Sequence, residues 1–341
     1  MEFTFTAPTA ALALVVAAAS IGVAGTRLAG VVDSLADRTG IGEAMAGALL
    51  LGGATSLAGL VVSVVAAADG NASLAVGNSI GGIAVQTAFI VVADLAYRRD
   101  NLEHAAASLG NVFNSLLLLI LLAVVVLGSA APEVTVLGVS PVTVLLVGAY
   151  LYGTALVRRV EREPMWEPTM TAETRQDTPD SDSEAASLKR LSAQFVGLAL
   201  VVVVAGYLVA RAGLSLVAET GLSGTVVGTF ATSVATSLPE LVTSVAAVRA
   251  GALTLAIGGI VGGNAFDLLF IAAADVAYRP GSIYTALTEA DVFVLGWAML
   301  LVGVLGAGLV RRQRKGIGFE GVSVLLVYFG GLALVTQLPG A

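Results

Sequence analysis

Apolar runs long enough to cross a lipid bilayer recur along almost the whole chain. A membrane-spanning helix needs about 20 mostly apolar residues. Hydrophobic residues make up 57% of the chain and charged residues only 12%, whereas a water-soluble domain carries about 25% charged residues. The mean hydropathy is +0.93. These properties predict an all-α membrane protein.

We expect ten transmembrane helices. Their predicted ranges are about 8–26, 43–68, 71–97, 104–129, 138–157, 191–211, 222–248, 252–278, 289–310 and 317–337. The one clearly polar stretch, 158–190, is rich in Glu, Asp, Ser, Thr and Pro. Because such a composition cannot build a core, we interpret it as a solvated linker. It separates a first five-helix half, 1–157, from a second, 191–341.

The distribution of basic residues predicts the orientation. Lys and Arg are retained on the cytoplasmic side of membrane proteins. With the N-terminus outside, 15 of the 17 basic residues lie in the cytoplasm, and only Arg211 and Arg279 lie outside. We therefore expect a multi-pass cell-membrane protein with both termini outside and the acidic linker in the cytoplasm.

One segment of the chain occurs twice. A shift of 181 residues aligns 47–98 with 228–279 without a gap, and 24 of these 52 positions are identical. Because five predicted spans separate the copies, the second crosses the membrane in the opposite direction to the first. Such inverted-topology repeats are typical of secondary transporters, whose ion sites lie near the midplane where the repeats meet. The predicted fold is thus two inverted five-helix repeats.

Each copy carries a motif of small and polar residues inside an apolar span. Residues 53–64 read GATSLAGLVVSV, and residues 234–245 read VATSLPELVTSV. Proline removes a backbone donor and glycine weakens a helix, so we expect breaks at both motifs. The glycine-rich segments 77–82 and 258–263 predict two further breaks. Alternatively, their glycines allow close helix packing.

The motif TSLPEL, followed by a glycine-rich segment and present in two inverted copies, resembles the α-repeats of the cation/Ca²⁺ exchanger superfamily. The likeness is strongest to the prokaryotic Na⁺/Ca²⁺ exchangers of ten helices. The resemblance implies that each copy contributes hydroxyl, carboxylate and amide side chains to a central ion site. The matching positions are Thr55, Ser56 and Gln86 in the first copy, and Thr236, Ser237, Glu240, Asn264 and Asp267 in the second.

The first copy departs from the family pattern. Gly59 stands where the second copy has Glu240, and Gln86 stands where it has Asp267. An ionised carboxylate inside a membrane is costly unless it meets a cation, and these two carboxylates could neutralise one divalent ion. We expect the ion to lie off-centre, towards the two acids, with water in the volume left by the absent first-copy side chain.

The resemblance implies a secondary antiporter that exchanges Na⁺ for Ca²⁺ by alternating access. Exchange of other cations or protons remains open, as does ion binding without coupled transport. We expect Ca²⁺ and Na⁺ as transported ions and no cofactor. The partners implied are membrane lipid and the transported cations, with neither a nucleic acid nor a protein partner. The sequence has no cysteine, one histidine and no HExxH motif, so we do not expect an enzyme.

Two aspartates recur at the ends of equivalent spans. Asp94 precedes Arg98 by four residues, and Asp275 precedes Arg279 by the same spacing. Residues four apart are neighbours on a helix surface. We therefore expect a local ion pair at each of these positions.

Overall fold

The computed structural model describes residues 5–39, 52–97, 108–162, 187–250, 253–311 and 318–338. These residues form helices joined by short connections. The helices are α1 (Ala7–Thr39), α2 (Gly52–Thr55), α3 (Leu57–Ala68), α4 (Ala72–Tyr97), α5 (Leu109–Ser129), α6 (Pro141–Arg162), α7 (Leu188–Thr220), α8 (Gly224–Val226), a π-helical turn (Val227–Thr232), α9 (Ser233–Thr236), α10 (Leu238–Ala250), α11 (Leu253–Asp267), α12 (Leu269–Ala277), α13 (Glu289–Arg311) and α14 (Gly318–Val335).

The prediction of an all-α membrane protein is confirmed. Within the described ranges, eight helices are long and apolar enough to cross a membrane, and a bent pair of helices raises the number to nine. The predicted span 43–68 is described only from residue 52 onward, as α2 and α3. The count of ten and the inverted arrangement therefore stay predictions. Most of the predicted linker, 163–186, lies outside the described residues.

Among the described residues, three of the predicted spans are interrupted. The first break falls at Ser56, between α2 and α3, and the second at Ser237, between α9 and α10. The axis bends by 46° at the second break. A third falls at Leu268, between α11 and α12. The two breaks predicted at the TSL motifs are confirmed.

The two breaks predicted at the glycine-rich segments are wrong. Helix α4 continues through 77–82, and α11 continues through 258–263. In the first segment the glycines allow close packing instead. A Cβ added to Gly77 would lie 3.0 Å from the carbonyl oxygen of Thr225, and one added to Gly81 would lie 2.6 Å from Thr229 Cα. Neighbouring backbone therefore occupies the space that side chains at these two positions would take.

Helix α4 is the central element of the fold. Of the spans, it has the largest buried share, and it packs against α3, α10, α11, α13 and the π-helical turn. Helices α1 and α7 pack along each other on one side of this core. The middle of α4 therefore faces helix breaks contributed by both copies of the repeat.

The ion pair predicted between Asp275 and Arg279 is wrong. Asp275 is fully buried, whereas Arg279 is exposed. The Asp275 carboxylate accepts hydrogen bonds from the backbone amides of Ser140 and Ile283, at 2.7 and 3.0 Å, and from the Thr143 hydroxyl at 2.7 Å. It thereby connects the end of α12 to the start of α6. The partner proposed for Asp94, Arg98, lies outside the described residues.

Candidate ion-binding site

The two carboxylates that the sequence singled out lie close together in the protein interior. Glu240 occupies the first turn of α10, directly after the break at Ser237, and Asp267 is the last residue of α11. Both side chains are buried. The Ser56 hydroxyl lies 2.7 Å from Asp267 Oδ1 and 3.5 Å from Glu240 Oε1. A residue at the first-copy break therefore links the two acids of the second copy.

Gln86, in the middle of α4, completes the contacts of Asp267. Its side-chain Nε2 donates to Asp267 Oδ2 at 2.8 Å and to the Ser237 hydroxyl at 3.2 Å. Both carboxylate oxygens of Asp267 thus accept a hydrogen bond from the first copy. Because hydrogen bonds to a carboxylate are among the stronger ones in proteins, these two contacts fix the orientation of the Asp267 side chain.

Several buried oxygen atoms around these groups lack a hydrogen-bond partner among the described residues. They are Glu240 Oε2, Gln86 Oε1 and Asn264 Oδ1. A buried acceptor without a partner is costly in a native structure. Glu240 and Gln86 each use their other polar side-chain atom in a hydrogen bond within the cluster. A bound cation would supply the missing partner for their remaining oxygens.

The remaining predicted site residues surround this centre in different ways. Thr55 and Ser56 both hydrogen-bond the Glu240 carboxylate. The Thr236 hydroxyl donates back to the Thr232 and Ser233 carbonyls of its own chain segment. The Asn264 side-chain amide donates to the hydroxyl of Thr87 at 3.3 Å. Thr87 is the residue next to Gln86. The structure thus brings Ser56, Gln86, Ser237, Glu240 and Asp267 into one connected cluster, with Thr55 attached to it.

The volume beside Gly59 is occupied by an aromatic ring. A Cβ added to Gly59 would lie 2.7 Å from Phe270 Cε2 and 3.4 Å from its Cζ. The expectation that water fills this position is therefore wrong. Phe270, which belongs to α12 of the second copy, packs against the bare Cα of Gly59, so an apolar ring occupies the position where a first-copy carboxylate would otherwise lie.

Two residues near the site were missed by sequence reasoning. Ser79 donates its hydroxyl hydrogen to the backbone carbonyl of Asp267 at 2.7 Å, which stabilises the end of α11 at the helix break. Phe270 gave no signal of its own, although it follows Asp267 by only three residues. Nothing in the sequence alone indicated that its ring would face the other copy.

The chemistry of the cluster fits a hard cation. Ca²⁺ takes about six to eight oxygen ligands, including carboxylates, carbonyls and waters. Within the described ranges, no group of three or more His, Cys, Asp or Glu side chains is arranged to hold a metal ion. The oxygen ligands beyond Glu240 and Asp267 would therefore come from hydroxyls, amides, backbone carbonyls and water.

Comparison with known proteins identifies a consistent set of relatives. The family model "Sodium/calcium exchanger protein" matches residues 9–158 and 191–337. The putative antiporter CaxA of Alkalimonas amylolytica is 25% identical over 300 residues, which is 87% of this chain and 89% of CaxA.

Solved structures of exchangers share the fold. The H⁺/Ca²⁺ exchanger CAX superposes with a TM-score of 0.70 at 11% identity, over 98% of this chain and 87% of CAX. The sodium-calcium exchanger NCX_Mj superposes with a TM-score of 0.58 at 17% identity, over 96% of this chain and 99% of NCX_Mj. Both likenesses are at the level of the fold.

Proposed function

Because the chain belongs to the sodium/calcium exchanger protein family, we propose that it is a secondary cation antiporter that moves Ca²⁺ across the cell membrane in exchange for Na⁺. The ion site is the cluster of Ser56, Gln86, Ser237, Glu240 and Asp267, with Thr55, Thr236 and Asn264 around it. The observation that carries the proposal is the single Ser56 hydroxyl that lies between the two buried carboxylates.

Charge balance favours a divalent cation at this cluster. Glu240 and Asp267 supply up to two negative charges, and burying both without a cation is costly inside a membrane. One Ca²⁺ neutralises both at once. When Ca²⁺ leaves, two monovalent cations can take over the same neutralisation. The cluster therefore couples release of one ion to binding of the other.

The repeats suggest how the site reaches both sides of the membrane. Two inverted five-helix halves that rock or slide about a fixed site would give alternating access. The N-terminus and C-terminus would lie outside and the linker inside, as the basic residues predict. This arrangement requires no enzymatic step, no cofactor and no protein partner.

A second candidate is exchange of Ca²⁺ for protons. Glu240 Oε2 has no hydrogen-bond partner among the described residues, and a proton could neutralise this carboxylate as Na⁺ would. In that case protonation of both acids, rather than Na⁺ binding, would accompany release of Ca²⁺. The two candidates use the same residues and differ only in the counter-ion.

Transport by the purified full-length protein in liposomes tests the proposal. An outward Na⁺ gradient should drive uptake of radiolabelled Ca²⁺, whereas an outward proton or K⁺ gradient should not. Mg²⁺ and Mn²⁺ are tested as competitors. Uptake driven by protons alone identifies the second candidate. Absence of uptake under every gradient, with intact protein, contradicts antiport and leaves ion binding without coupled transport.

Two variants that carry the same chemical change at different positions test where the ion site lies. Glu240→Gln should abolish Ca²⁺ uptake, because the remaining carboxylate cannot neutralise a divalent ion. Glu219→Gln makes the same chemical change at an exposed position near the end of α7 and should transport normally. Uptake by Glu240→Gln at the parental rate would place the ion site elsewhere.

A further inference from the structure

We propose that Phe270 determines how many cations the site can hold, because its ring occupies the position from which the first copy would otherwise present a second glutamate. This inference rests on the proposed antiport function and adds a specificity-determining residue to it. Four observations carry it, and they concern Gly59 and the aromatic ring beside it.

The first observation concerns the direction in which a side chain at position 59 would point. Gly59 follows Thr55 and Ser56 by four and three residues, the same spacing by which Glu240 follows Thr236 and Ser237. The Leu60 amide donates to the Ser56 carbonyl at 3.0 Å, so the chain is helical from Ser56 onward, and residues three apart share a helix face. The Ser56 hydroxyl lies 3.5 Å from Glu240 Oε1, so a side chain at position 59 would lie on the face turned to the site.

The second observation is that the Phe270 ring fills the space beside Gly59. The nearest atoms to an added Gly59 Cβ are Cε2, Cζ and Cδ2 of the Phe270 ring, at 2.7, 3.4 and 3.5 Å. A Cβ essentially never approaches another heavy atom to within 2.7 Å. Any side chain at position 59 must therefore displace the ring, and Phe270 is itself buried.

The third and fourth observations concern the groups that hold the Phe270 ring and the Gly59 backbone in place. The Phe270 ring meets the Phe266 ring edge-on, with centroids 6.2 Å apart, and Phe266 meets Tyr150 in the same way at 6.2 Å. The Gly59 carbonyl accepts a hydrogen bond from Asn78 Nδ2 at 3.1 Å. The Phe270 ring is thus packed against a second ring, and a hydrogen bond restrains the Gly59 backbone.

The consequence is a one-sided site of fixed charge. Both acidic groups, Glu240 and Asp267, belong to the second copy, and the Phe270 ring fills the space beside Gly59 in the first copy. A site with two negative charges is neutralised by one divalent or two monovalent cations, and a third monovalent cation would bring an uncompensated charge into the membrane interior. We therefore expect one Ca²⁺ to exchange for two monovalent ions, with no net movement of charge.

A double-mutant cycle on melting temperature tests the steric part. Gly59→Glu should lower the melting temperature by several degrees in the wild-type background and by clearly less in the Phe270→Ala background. Phe270→Leu provides a milder second background should the alanine variant prove unstable. The control background is Phe89→Ala, which removes the equivalent phenylalanine of the first copy. Phe89 packs with a separate cluster that includes Ile90, Val248 and Ile257, so its removal should give no relief.

The charge part is tested by clamping the membrane potential of proteoliposomes. Wild-type Ca²⁺ uptake should not change with the potential. The double variant Gly59→Glu/Phe270→Ala should become sensitive to it, and the Hill coefficient for the counter-ion should rise by about one, because the added carboxylate holds one more monovalent cation.

The outcomes separate this inference from the proposed function. An equal loss of melting temperature in the wild-type and Phe270→Ala backgrounds overturns the role of Phe270, and so does wild-type uptake that depends on the potential. If wild-type protein exchanges no Ca²⁺ at all, the antiport proposal fails, while the melting-temperature cycle still decides whether Phe270 occupies the glutamate position.

Discussion

Gln86 and Asp267 occupy the same position in the two copies of the repeat, 181 residues apart, and their side chains are hydrogen-bonded to each other at 2.8 Å. Two further hydrogen bonds are also related by the repeat. Ser56 donates to Asp267, and Gln86 donates to Ser237, so exchanging the two copies turns one contact into the other. The candidate site is therefore built where equivalent residues of the copies meet.

The carboxylate of Asp267 should be essential for divalent binding. Asp267→Asn removes one of the two charges, and its amide nitrogen must face the Ser56 hydroxyl or the Gln86 amide, both of which donate to the native side chain. Losing one member of a buried charged contact costs about 2–5 kcal/mol, so Ca²⁺ affinity should fall at least about 30-fold. Isothermal titration of purified protein measures it.

The matched control for that variant is Asp69→Asn. Asp69 lies at the end of α3 and forms an ion pair with Arg211 at 3.2 Å, with about half of its side chain exposed. An ion pair so exposed contributes little to stability, and its loss should leave Ca²⁺ affinity unchanged. Normal binding by Asp267→Asn would mean that this residue is protonated or not a ligand.

The Ser56 hydroxyl should matter less than either acid. Ser56→Ala removes the donor that lies 2.7 Å from Asp267 Oδ1, and a hydrogen bond to a charged group contributes about 1.5–3 kcal/mol. Ca²⁺ affinity should fall by about tenfold or more, with residual transport at saturating Ca²⁺. Ser20→Ala, at a site where the hydroxyl only bonds its own helix, should have no effect. A complete loss of transport in the Ser56 variant would instead indicate a role in gating.

Gly81 should tolerate a larger side chain far less than Gly262, which occupies the equivalent position in the second copy. A Cβ at Gly81 would lie 2.6 Å from Thr229 Cα, whereas one at Gly262 would have no atom within 4 Å. Gly81→Ala should therefore reduce the melting temperature and the transport rate. Gly262→Ala should be neutral or slightly stabilising, because alanine favours a helix by about 1 kcal/mol over glycine. Equal effects of the two changes would contradict the packing described here.

These glycines also show how far the sequence could predict the structure. Hydropathy and the two TSL motifs predicted the membrane class and two helix breaks, because both depend on local composition and backbone chemistry. The same glycine pattern could not reveal whether 77–82 breaks a helix or packs against another. That outcome depends on Thr225 and Thr229, which lie almost 150 residues away in the chain and meet α4 only in the folded protein.

Five of the eight predicted site residues meet in one cluster, whereas their ion binding stays a prediction and one feature of the shape was missed. Glu240 stood out because a charged residue inside an apolar span is rare, and the family resemblance implied Asp267, Ser56 and Gln86 as its partners in the site. Phe270 carried no such signal, since one more aromatic residue in a membrane span is unremarkable by composition. Its role depends on a contact between α12 and α3 that no local pattern encodes.

A buried carboxylate far from the site should act on stability alone. Asp291 accepts hydrogen bonds from Ser73 at 2.7 Å, from Thr225 at 2.6 Å and from Thr288. It thereby joins the starts of α4, α8 and α13. Asp291→Ala leaves these donors without their acceptor and should lower the free energy of unfolding by about 2–3 kcal/mol. The ion preference of the folded fraction should be unchanged in transport assays, and an altered preference would show that this junction is coupled to the site.

The last prediction concerns the helix break that positions Glu240. Pro239 lacks a backbone N–H and so cannot donate to the carbonyl four residues earlier, which offers an obvious cause for the break at Ser237. The first copy, however, has Ala58 at the equivalent position and still breaks at Ser56. The break must then be maintained by contacts of the surrounding helices, among them the packing of Pro239 against Gly25 of α1. Pro239→Ala should therefore retain Ca²⁺ binding within about threefold of wild type, a change of less than 1 kcal/mol, with a modest loss of melting temperature from the lost contact. A loss of Ca²⁺ binding comparable to that of Glu240→Gln, in protein that remains folded, would show that the proline itself holds the carboxylate in place.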